Sequence, residues 1–230
     1  MGNIYIHNTN IKINDYLVDY IDGLLLSDGH ISRRNVYTGR YMQPCKDFSW
    51  LSIISEYFSL YGVVSIISKE HIHKDHGNFN NITFDLSTLS YVELIDFHNR
   101  WYIPYYYEDK DGYEKFRYKK IVPSDINLTP GCVANWYLGD GHLHKDKRYI
   151  TAYTLSIATM GFTKDDIFFL SDKINLLLDI NSNVSKDGKI FISTRSEIIS
   201  FLDYIKGCEY PDCYAHKFDI KPIVYKTLKR

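Results

Sequence analysis

Two acidic residues, Asp28 and Asp140, stand in closely similar surroundings about half of the 230-residue chain apart. Each follows an apolar stretch of helical character and is followed by Gly and His. The C-terminus of a helix carries partial negative charge, so an acidic residue there costs about 0.3–1 kcal/mol. If the two helices pack side by side, the carboxylates converge, and such a pair can bind Mg²⁺ together with substrate phosphate. The chemistry that this arrangement predicts is metal-dependent hydrolysis of a phosphodiester bond.

Helix start signals precede both apolar stretches. Asn14 or Asp15 can cap the first helix, and Thr129 followed by Pro130 is a strong start for the second. After each acidic residue the pattern predicts two strands, a helix, a second pair of strands and a last helix. The chain therefore contains two copies of the element order αββαββα, which indicates two halves derived from one ancestral unit.

Close packing of the two predicted helices needs small residues at their contact. Gly23 and Ser27 lie four residues apart on one face of the first helix, and Asn135 and Gly139 match them on the second. Asn135 is larger than the usual contact residue, as is Trp136 beside it. The sequence therefore does not decide how closely the two helices pack. The assignment of the two acidic residues to the site does not depend on that distance.

Composition and charge limit the class of protein. Hydrophobic residues make up 45% of the chain and charged residues 24%, so the chain is globular and not disordered. The net charge of −1 argues against a nucleic-acid partner when it is taken alone. Net charge does not describe how charge is distributed, however, so a basic groove with an acidic exterior stays open.

Other features of the sequence bear on location. No apolar run approaches the roughly 20 residues of a membrane span, so no membrane partner is expected. Four cysteines without CxxC pairing are typical of reduced thiols in an intracellular protein. The abundance of Ile, Asn, Lys and Tyr indicates an AT-rich genome. We therefore expect an intracellular protein that acts in an organelle (mitochondrion or chloroplast), or otherwise in the cytoplasm.

The two apolar stretches carry a family resemblance. Residues 21–29, IDGLLLSDG, resemble the motif after which the LAGLIDADG homing endonucleases are named, and residues 133–141, VANWYLGDG, resemble its second copy. The stretch 119–130, KKIVPSDINLTP, leads into the second motif and resembles the two-motif monomeric (I-SceI-like) branch of that family. The resemblance covers nearly the whole chain in order, with the closest match in the motifs.

The resemblance implies an α+β fold with a pseudo-twofold pair of αββαββα subdomains, each with a saddle-shaped antiparallel sheet, packed through the two motif helices. It implies an N-terminal subdomain at 1–104, a linker at 105–127 and a C-terminal subdomain at 128–230. It also implies a monomer that makes a site-specific double-strand cut in DNA. Because the two sheets carry different side chains, we expect a long asymmetric target site.

Two other functions on the same scaffold stay open. An intron maturase, which is an RNA-binding splicing cofactor, would keep this fold. A non-cleaving DNA-binding regulator would usually have lost at least one of the two acidic residues. Retention of both Asp28 and Asp140 favours cleavage but does not exclude maturase activity.

The resemblance also assigns the metal site. Asp28 and Asp140 would be catalytic and would bind Mg²⁺, with Mn²⁺ as a substitute. The residues before them, Ser27 and Gly139, would complete the metal site. The metal would then activate water and stabilise the leaving oxygen.

Members of this family have a central lysine near the end of each half. By motif match these lysines are Lys119 and Lys217 in this chain. A lysine there can lower the pKa of a water molecule or stabilise the charge of the phosphorane. Lys120 is an alternative to Lys119, and without the resemblance each lysine would be an ordinary solvated residue. His30 and His142, which follow the Asp-Gly pairs, could order water in the site or simply begin a strand.

The outward faces of the two sheets would read DNA in the major groove, where polar side chains reach base edges and Lys and Arg contact mainly phosphates. A slip of one residue in strand register inverts the face, so only about half of the candidates should face DNA. The candidates in the first half are Ser32, Arg33, Arg34, Asn35, Tyr37, Arg40, Gln43, His71, His73, Asn80 and Thr83. The candidates in the second half are His144, Lys145, Lys147, Arg148, Tyr153, Thr154, Ser156, Lys186, Lys189, Ser193 and Arg195.

Overall fold

The computed structural model describes residues 11–74, 80–145 and 152–221, with the backbone alone at 70–74, 80 and 81. The first half contains α1 (Asp15–Leu26), β1 (His30–Arg33), β2 (Gly39–Cys45), α2 (Phe48–Leu60), β3 (Ser65–Lys74), β4 (Asn80–Thr88) and α3 (Leu94–Trp101). A hairpin follows, made of β5 (Tyr102–Glu108) and β6 (Glu114–Lys120). The second half contains α4 (Pro130–Asp140), β7 (Gly141–Lys145), β8 (Tyr153–Ala158), α5 (Lys164–Leu178), β9 (Asn183–Val184), β10 (Lys189–Ile192), α6 (Arg195–Ile205) and a 3-10 helix (Asp212–Lys217).

Both halves have the same topology. The first sheet has the strand order β1-β2-β4-β3 and the second has the order β7-β8-β10-β9, and every pairing is antiparallel. The order of elements in each half is αββαββα. The α+β fold expected from the sequence, with two similar halves and antiparallel sheets, is therefore confirmed.

Capping residues set where the helices begin. The Thr129 side chain accepts a hydrogen bond from the Cys132 amide at 3.3 Å, and Pro130 occupies the first turn of α4. Asn14 caps α1 in the same way through the Leu17 amide at 3.0 Å. These bonds satisfy amide groups that have no partner within the helix, which is why the predicted starts coincide with the observed ones.

Among the described residues, no helix is long and apolar enough to cross a membrane.

Each sheet packs one face against helices. In β8 the buried residues Tyr153, Leu155 and Ile157 alternate with partly exposed ones. In the first sheet Ile31, Tyr41 and other buried residues occupy the equivalent positions. Because successive side chains of a strand point to opposite faces, the other face of each sheet is turned away from the core.

The two halves meet through α1 and α4, whose backbones approach very closely. A Cβ atom added at Gly23 would overlap the Cys132 carbonyl oxygen, and one added at Gly139 would lie 2.6 Å from the Ser27 Oγ. Asn135 also lies in this contact, where its Nδ2 donates to the Tyr20 carbonyl oxygen at 3.4 Å. Asn135, whose size made close packing of the two helices uncertain from the sequence, therefore forms a hydrogen bond between them.

Helix α1 is also tied to α3 by a buried carboxylate. Both oxygens of Asp22 lie 2.7 Å from the Arg100 guanidinium, and Trp101 donates its indole N–H to one of them at 2.8 Å. Asp22 is completely buried, and burial raises its pKa despite these partners. A buried carboxylate needs such paired donors, so this cluster fixes how the first motif helix sits against its own half.

The helix contact predicts a stability effect. Gly23→Ala should lower the free energy of unfolding by about 1–3 kcal/mol, because the new methyl group meets a backbone carbonyl of α4 that cannot turn aside. Gly131→Ala in α4 is the matched control, since an added Cβ there meets nothing within 4 Å. That control should be neutral or stabilising by up to about 1 kcal/mol. Urea unfolding measures both, and equal midpoints for the two variants would contradict close packing.

Candidate active site

Asp28 and Asp140 lie at the adjacent ends of the two motif helices. Helix α1 ends at Leu26, and Asp28 follows in the turn, whereas Asp140 is the last residue of α4. Both carboxylates line one cavity of about 250 Å³, together with Lys120 and the loop between β8 and α5. Each half thus supplies one acidic residue to a shared site.

The two carboxylates influence each other. Burial and, to a smaller extent, the negative charge of Asp28 raise the pKa of Asp140 to about 7, although Lys120 and Lys217 oppose the shift. Asp28 is the more exposed of the two. The cavity therefore concentrates negative charge where a cation would be stabilised.

Lys120 is the lysine of the first half that reaches the site. Its Nζ donates to the carbonyl oxygens of Gly29 at 2.8 Å and Ser27 at 3.2 Å, on either side of Asp28. Burial lowers its pKa to about 8, although Asp140 and Asp28 act in the opposite direction. Lys119, the residue favoured from the sequence, is exposed, because alternation along β6 turns it to the opposite face of the hairpin.

Lys217 occupies the corresponding place in the second half. It is buried at the end of the 3-10 helix, and its Nζ donates to the carbonyl oxygens of Leu138 at 2.6 Å and Tyr137 at 3.4 Å. The ammonium group also lies 4.9 Å from the centre of the Tyr214 ring. Burial lowers its pKa, while Asp140 is the largest opposing influence. The predicted Lys217 therefore lies beside Asp140 as Lys120 lies beside Asp28.

The donor set suits a metal that shares its ligands with a substrate. Within the described ranges, no cluster of three or more His, Cys, Asp or Glu side chains could hold a metal ion by itself. Mg²⁺ is commonly bound by one or two carboxylates, with waters and substrate phosphates completing the octahedron. Asp28 and Asp140 fit this pattern. Ser27 and Gly139 lie in the helix contact, where the Ser27 carbonyl already accepts a bond from Lys120.

The outward face of the first sheet carries several of the predicted DNA-reading residues. Ser32 and Arg40 are paired across β1 and β2, and Thr83 lies two residues from Asp85, which is paired with Pro44 on the same face. Arg34 and Tyr37 are exposed in the connection between β1 and β2. The side chains of three further candidates lie outside the described residues, namely His71, His73 and Asn80.

Arg33 and Asn35 have structural partners. Arg33 lies on the same side of β1 as the buried Ile31, and its guanidinium donates to the Tyr118 hydroxyl at 2.7 Å and to the Asn35 carbonyl oxygen at 3.1 Å. The Asn35 side chain accepts from the amides of Tyr37 at 2.8 Å and Thr38 at 2.9 Å. These two residues shape the β1–β2 connection and anchor the hairpin in this structure.

The second sheet presents a comparable set of outward residues. His144 is paired with Thr154, and Lys189 is paired with Ala158 next to Ser156. Lys145, Lys186 and Ser193 are exposed at the ends of strands or in the β9–β10 turn. Lys147 and Arg148 lie outside the described residues.

Two of the predicted DNA-reading residues, Gln43 and Tyr153, point towards the core, and a third, Arg195, is half-buried and bonded to other parts of the protein. Gln43 is 2% exposed and accepts a hydrogen bond from the Tyr41 hydroxyl. Tyr153 is 4% exposed, and its hydroxyl accepts from the Lys221 amide at 3.1 Å. Arg195 lies at the start of α6, where it packs over the Tyr153 ring at 5.3 Å and donates to the Lys221 carbonyl oxygen. In the two strands, the cause is the one-residue alternation of faces.

Three further residues, not predicted from the sequence, also lie on the outward faces of the sheets. His142 lies on the outward face opposite Ser156, and Met42 lies opposite Ser87 on the outward face of the first sheet. Phe191 is paired with Ser156 on the same face as His142. The period of two places them on that face once one buried residue of each strand is known, and that residue is given by the structure and not by the sequence.

The raised pKa of Asp140 predicts how stability varies with pH. Because its folded-state pKa of about 7 exceeds the usual 3.8, its contribution to stability is fully present below about pH 4 and is lost as pH rises through 7. Asp140→Asn should match the wild type near pH 4 and exceed its free energy of unfolding by about 1–2 kcal/mol at pH 8.

Urea unfolding in EDTA between pH 4 and 8 measures this difference. Asp172→Asn is the matched control, because it removes an exposed carboxylate from α5. The control should give a curve parallel to that of the wild type. An Asp140→Asn curve that also runs parallel to the wild type would contradict the shared negative site.

Comparison with known proteins gives a consistent family. The model of the LAGLIDADG DNA endonuclease family matches residues 18–201. An uncharacterized protein of Methanocaldococcus jannaschii is 30% identical over 178 residues, which are 76% of this chain and 61% of that protein. A probable intron-encoded DNA endonuclease 3 of Mycosarcoma maydis is 31% identical over 93 residues, which are 38% of this chain and 65% of that protein. The chain covers less than two thirds of the length of each relative.

Among solved structures, the homing endonuclease I-WcaI is similar in fold. It has a TM-score of 0.71 and 17% sequence identity, and the match covers 91% of this chain and 88% of the other. At this identity the likeness concerns the fold. The family match over most of the chain, with both motif helices and their acidic residues in place, shows that this protein belongs to the LAGLIDADG DNA endonuclease family.

Proposed function

We propose that this protein is a site-specific endonuclease that makes a double-strand cut in DNA with Mg²⁺, for which Mn²⁺ can substitute. The observation that carries the proposal is the shared cavity, where Asp28 and Asp140 come from different halves and lie beside the half-buried Lys120. Neither half contains both carboxylates. We therefore expect cleavage to require the two halves together in one monomer.

Duplex DNA is the substrate that suits the two sheets. Their outward faces carry side chains that can bond to base edges, such as Arg40 in the first half and His144 in the second. The two faces differ in composition, which favours an asymmetric target. I-WcaI is described as bound to its DNA recognition sequence, and the relative from Mycosarcoma maydis as a probable intron-encoded DNA endonuclease. An organellar location stays a prediction.

Asp28 and Asp140 would hold the divalent metal. When it is bound, the metal supplies activation of water and stabilisation of the leaving oxygen. The carboxylates also hold the DNA phosphates at a distance unless a cation lies between them, because like charges repel. The metal is therefore expected to control placement of the scissile phosphate at the two carboxylates, and not binding of the duplex as a whole.

The two lysines place positive charge beside the acidic residues. Carbonyl oxygens hold the Lys120 ammonium on either side of Asp28, and those of α4 hold Lys217 close to Asp140. An ammonium group in a partly desolvated site stabilises developing phosphorane charge more strongly than it would in water. Each lysine is thus suited to assist cleavage of one strand.

Removal of either carboxylate should abolish cutting. Asp28→Asn and Asp140→Asn should each reduce double-strand cleavage at least about 10³-fold, because each removes charge that holds the metal. Wild-type protein is first incubated with Mg²⁺ and a randomised DNA library, and the cleaved ends are sequenced to define the site. Cleavage and binding of that site are then measured for each variant.

Asp172→Asn again serves as the control and should cut like the wild type, because its carboxylate is exposed on α5. Both motif variants should still bind the selected site. Full cleavage by either motif variant would exclude the two-carboxylate mechanism. Splicing assistance that survives both changes, with no cleavage of DNA by the wild type, would instead favour the maturase.

The position of the lysine is tested separately. Lys120→Met should reduce the first-order rate of cleavage at saturating protein about 100-fold, because it removes the ammonium group next to Asp28. Lys206→Met, on the exposed surface after α6, should have no effect on this rate. A loss of rate in Lys119→Met but not in Lys120→Met would favour the residue first predicted from sequence.

A further inference from the structure

The hairpin between the two halves has one face that is held against the protein. The Tyr102 hydroxyl accepts a hydrogen bond from the Ile31 amide at 3.0 Å, and the Tyr118 hydroxyl accepts one from Arg33 at 2.7 Å. Lys120 extends from the same face into the active site. Tyr102 and Lys120 are directly paired across β5 and β6, and Tyr118 is two residues along. These contacts define the inner face of the hairpin.

Alternation then defines the opposite, outer face. The pairs on that face are Ile103 with Lys119, Tyr105 with Arg117 and Tyr107 with Lys115. Three cations of β6 therefore lie in a row on the outer face, and two of them are paired with tyrosines of β5. The two acidic residues of these strands, Glu108 and Glu114, lie on the inner face.

The outer face is arranged as a cationic and aromatic surface. The Arg117 guanidinium lies 4.8 Å from the centre of the Tyr107 ring, and the Tyr105 and Tyr107 rings stack 5.9 Å apart. Arg117 and Lys119 are exposed, and Tyr105 is 52% exposed. Lys115 lies 3.4 Å from Asp109, so part of its charge is compensated. Arg117 and Lys119 are therefore the main cations of this surface.

We propose that the outer face of the hairpin binds the phosphate backbone of duplex DNA next to the cleavage site. This inference rests on the proposed function and adds a contact surface separate from the two sheets. The chain has a net charge of −1, so a row of cations with no acidic residue among the strand positions of the same face is a local departure that complements a polyanion. A guanidinium stacked on a ring keeps its N–H edge available for phosphate oxygens.

The position of the surface supports the same partner. Lys119 and Lys120 are consecutive, and Lys120 reaches the carbonyl oxygens on either side of Asp28. A DNA strand whose scissile phosphate lies at Asp28 would therefore pass within a few residues of the outer face. Cations on a hairpin beside the site contribute binding that does not depend on base sequence, because they contact phosphates.

Salt dependence of binding tests this inference without knowledge of the target site. The probe is a random-sequence 40-bp duplex, whose dissociation constant is measured between 50 and 200 mM KCl. Each phosphate contact contributes about 0.9 to the slope of log K against log salt. The double variant Arg117→Ala/Lys119→Ala should therefore have a slope smaller by about 1.8 and should bind about 60-fold more weakly at 100 mM KCl.

Two further variants make the result specific. Lys12→Ala/Lys206→Ala removes the same charge from exposed lysines, one preceding α1 and one following α6, and should keep the wild-type slope. Arg117→Lys/Lys119→Arg keeps the charge of the outer face and should also keep the slope. Thermal unfolding should be the same for all variants, since the substituted side chains are exposed.

The outcomes separate this inference from the proposed function. If the wild type does not bind the duplex at 50 mM KCl, DNA as the substrate is contradicted. If the wild type binds and the Arg117→Ala/Lys119→Ala slope equals that of the wild type, the hairpin inference is overturned and the function stands. An equal loss of slope in the Lys12→Ala/Lys206→Ala control would also overturn it, because the effect would then follow net charge and not the hairpin.

Discussion

The close approach of the α1 and α4 backbones is the constraint on which the rest of the molecule depends. Because Gly23 has no side chain, the Cys132 carbonyl of the other half lies where a Cβ atom would be. In the same way, the Ser27 side chain lies where a Cβ atom of Gly139 would be, near the helix ends. The contact between Ser27 and Gly139 also shows that the two helices end next to each other. The residues at those ends, Asp28 and Asp140, are thereby brought to one cavity, and the two sheets extend from the same junction.

The junction of the two helices brings negative charges together, and the two lysines offset part of the resulting electrostatic repulsion. Two carboxylates beside two helix C-termini would repel each other, and the raised pKa of Asp140 reflects burial first and this repulsion second. Lys120 reaches the site from the hairpin and Lys217 from the 3-10 helix, so the positive charge comes from segments that follow the core of each half. The lysines bond to backbone carbonyl oxygens next to the acidic residues. The resulting site is both charged and compact, which suits the metal and phosphate binding that we propose.

Much of the fold could be predicted because its determinants are local. The caps at Asn14 and Thr129 and the alternation in Tyr153 to Ala158 are readable over a few residues, and they gave the order αββαββα in both halves. The acidic residues were found for a similar reason, since a motif repeated at half-chain spacing needs no knowledge of contacts. The strand faces were harder to predict, because a shift of one residue exchanges the two faces.

The sequence by itself determined the family, the element order and the acidic pair Asp28 and Asp140, because these follow from motif and periodicity along the chain. Only the tertiary structure decided that Lys120 and not Lys119 lies beside the site, and that Gln43 and Tyr153 face the core. The side chains of consecutive strand residues point to opposite faces of the sheet. Nothing in their local composition says which of the two faces packs against the rest of the protein. That choice is made by the helices packed against each sheet and by the contacts that hold the hairpin.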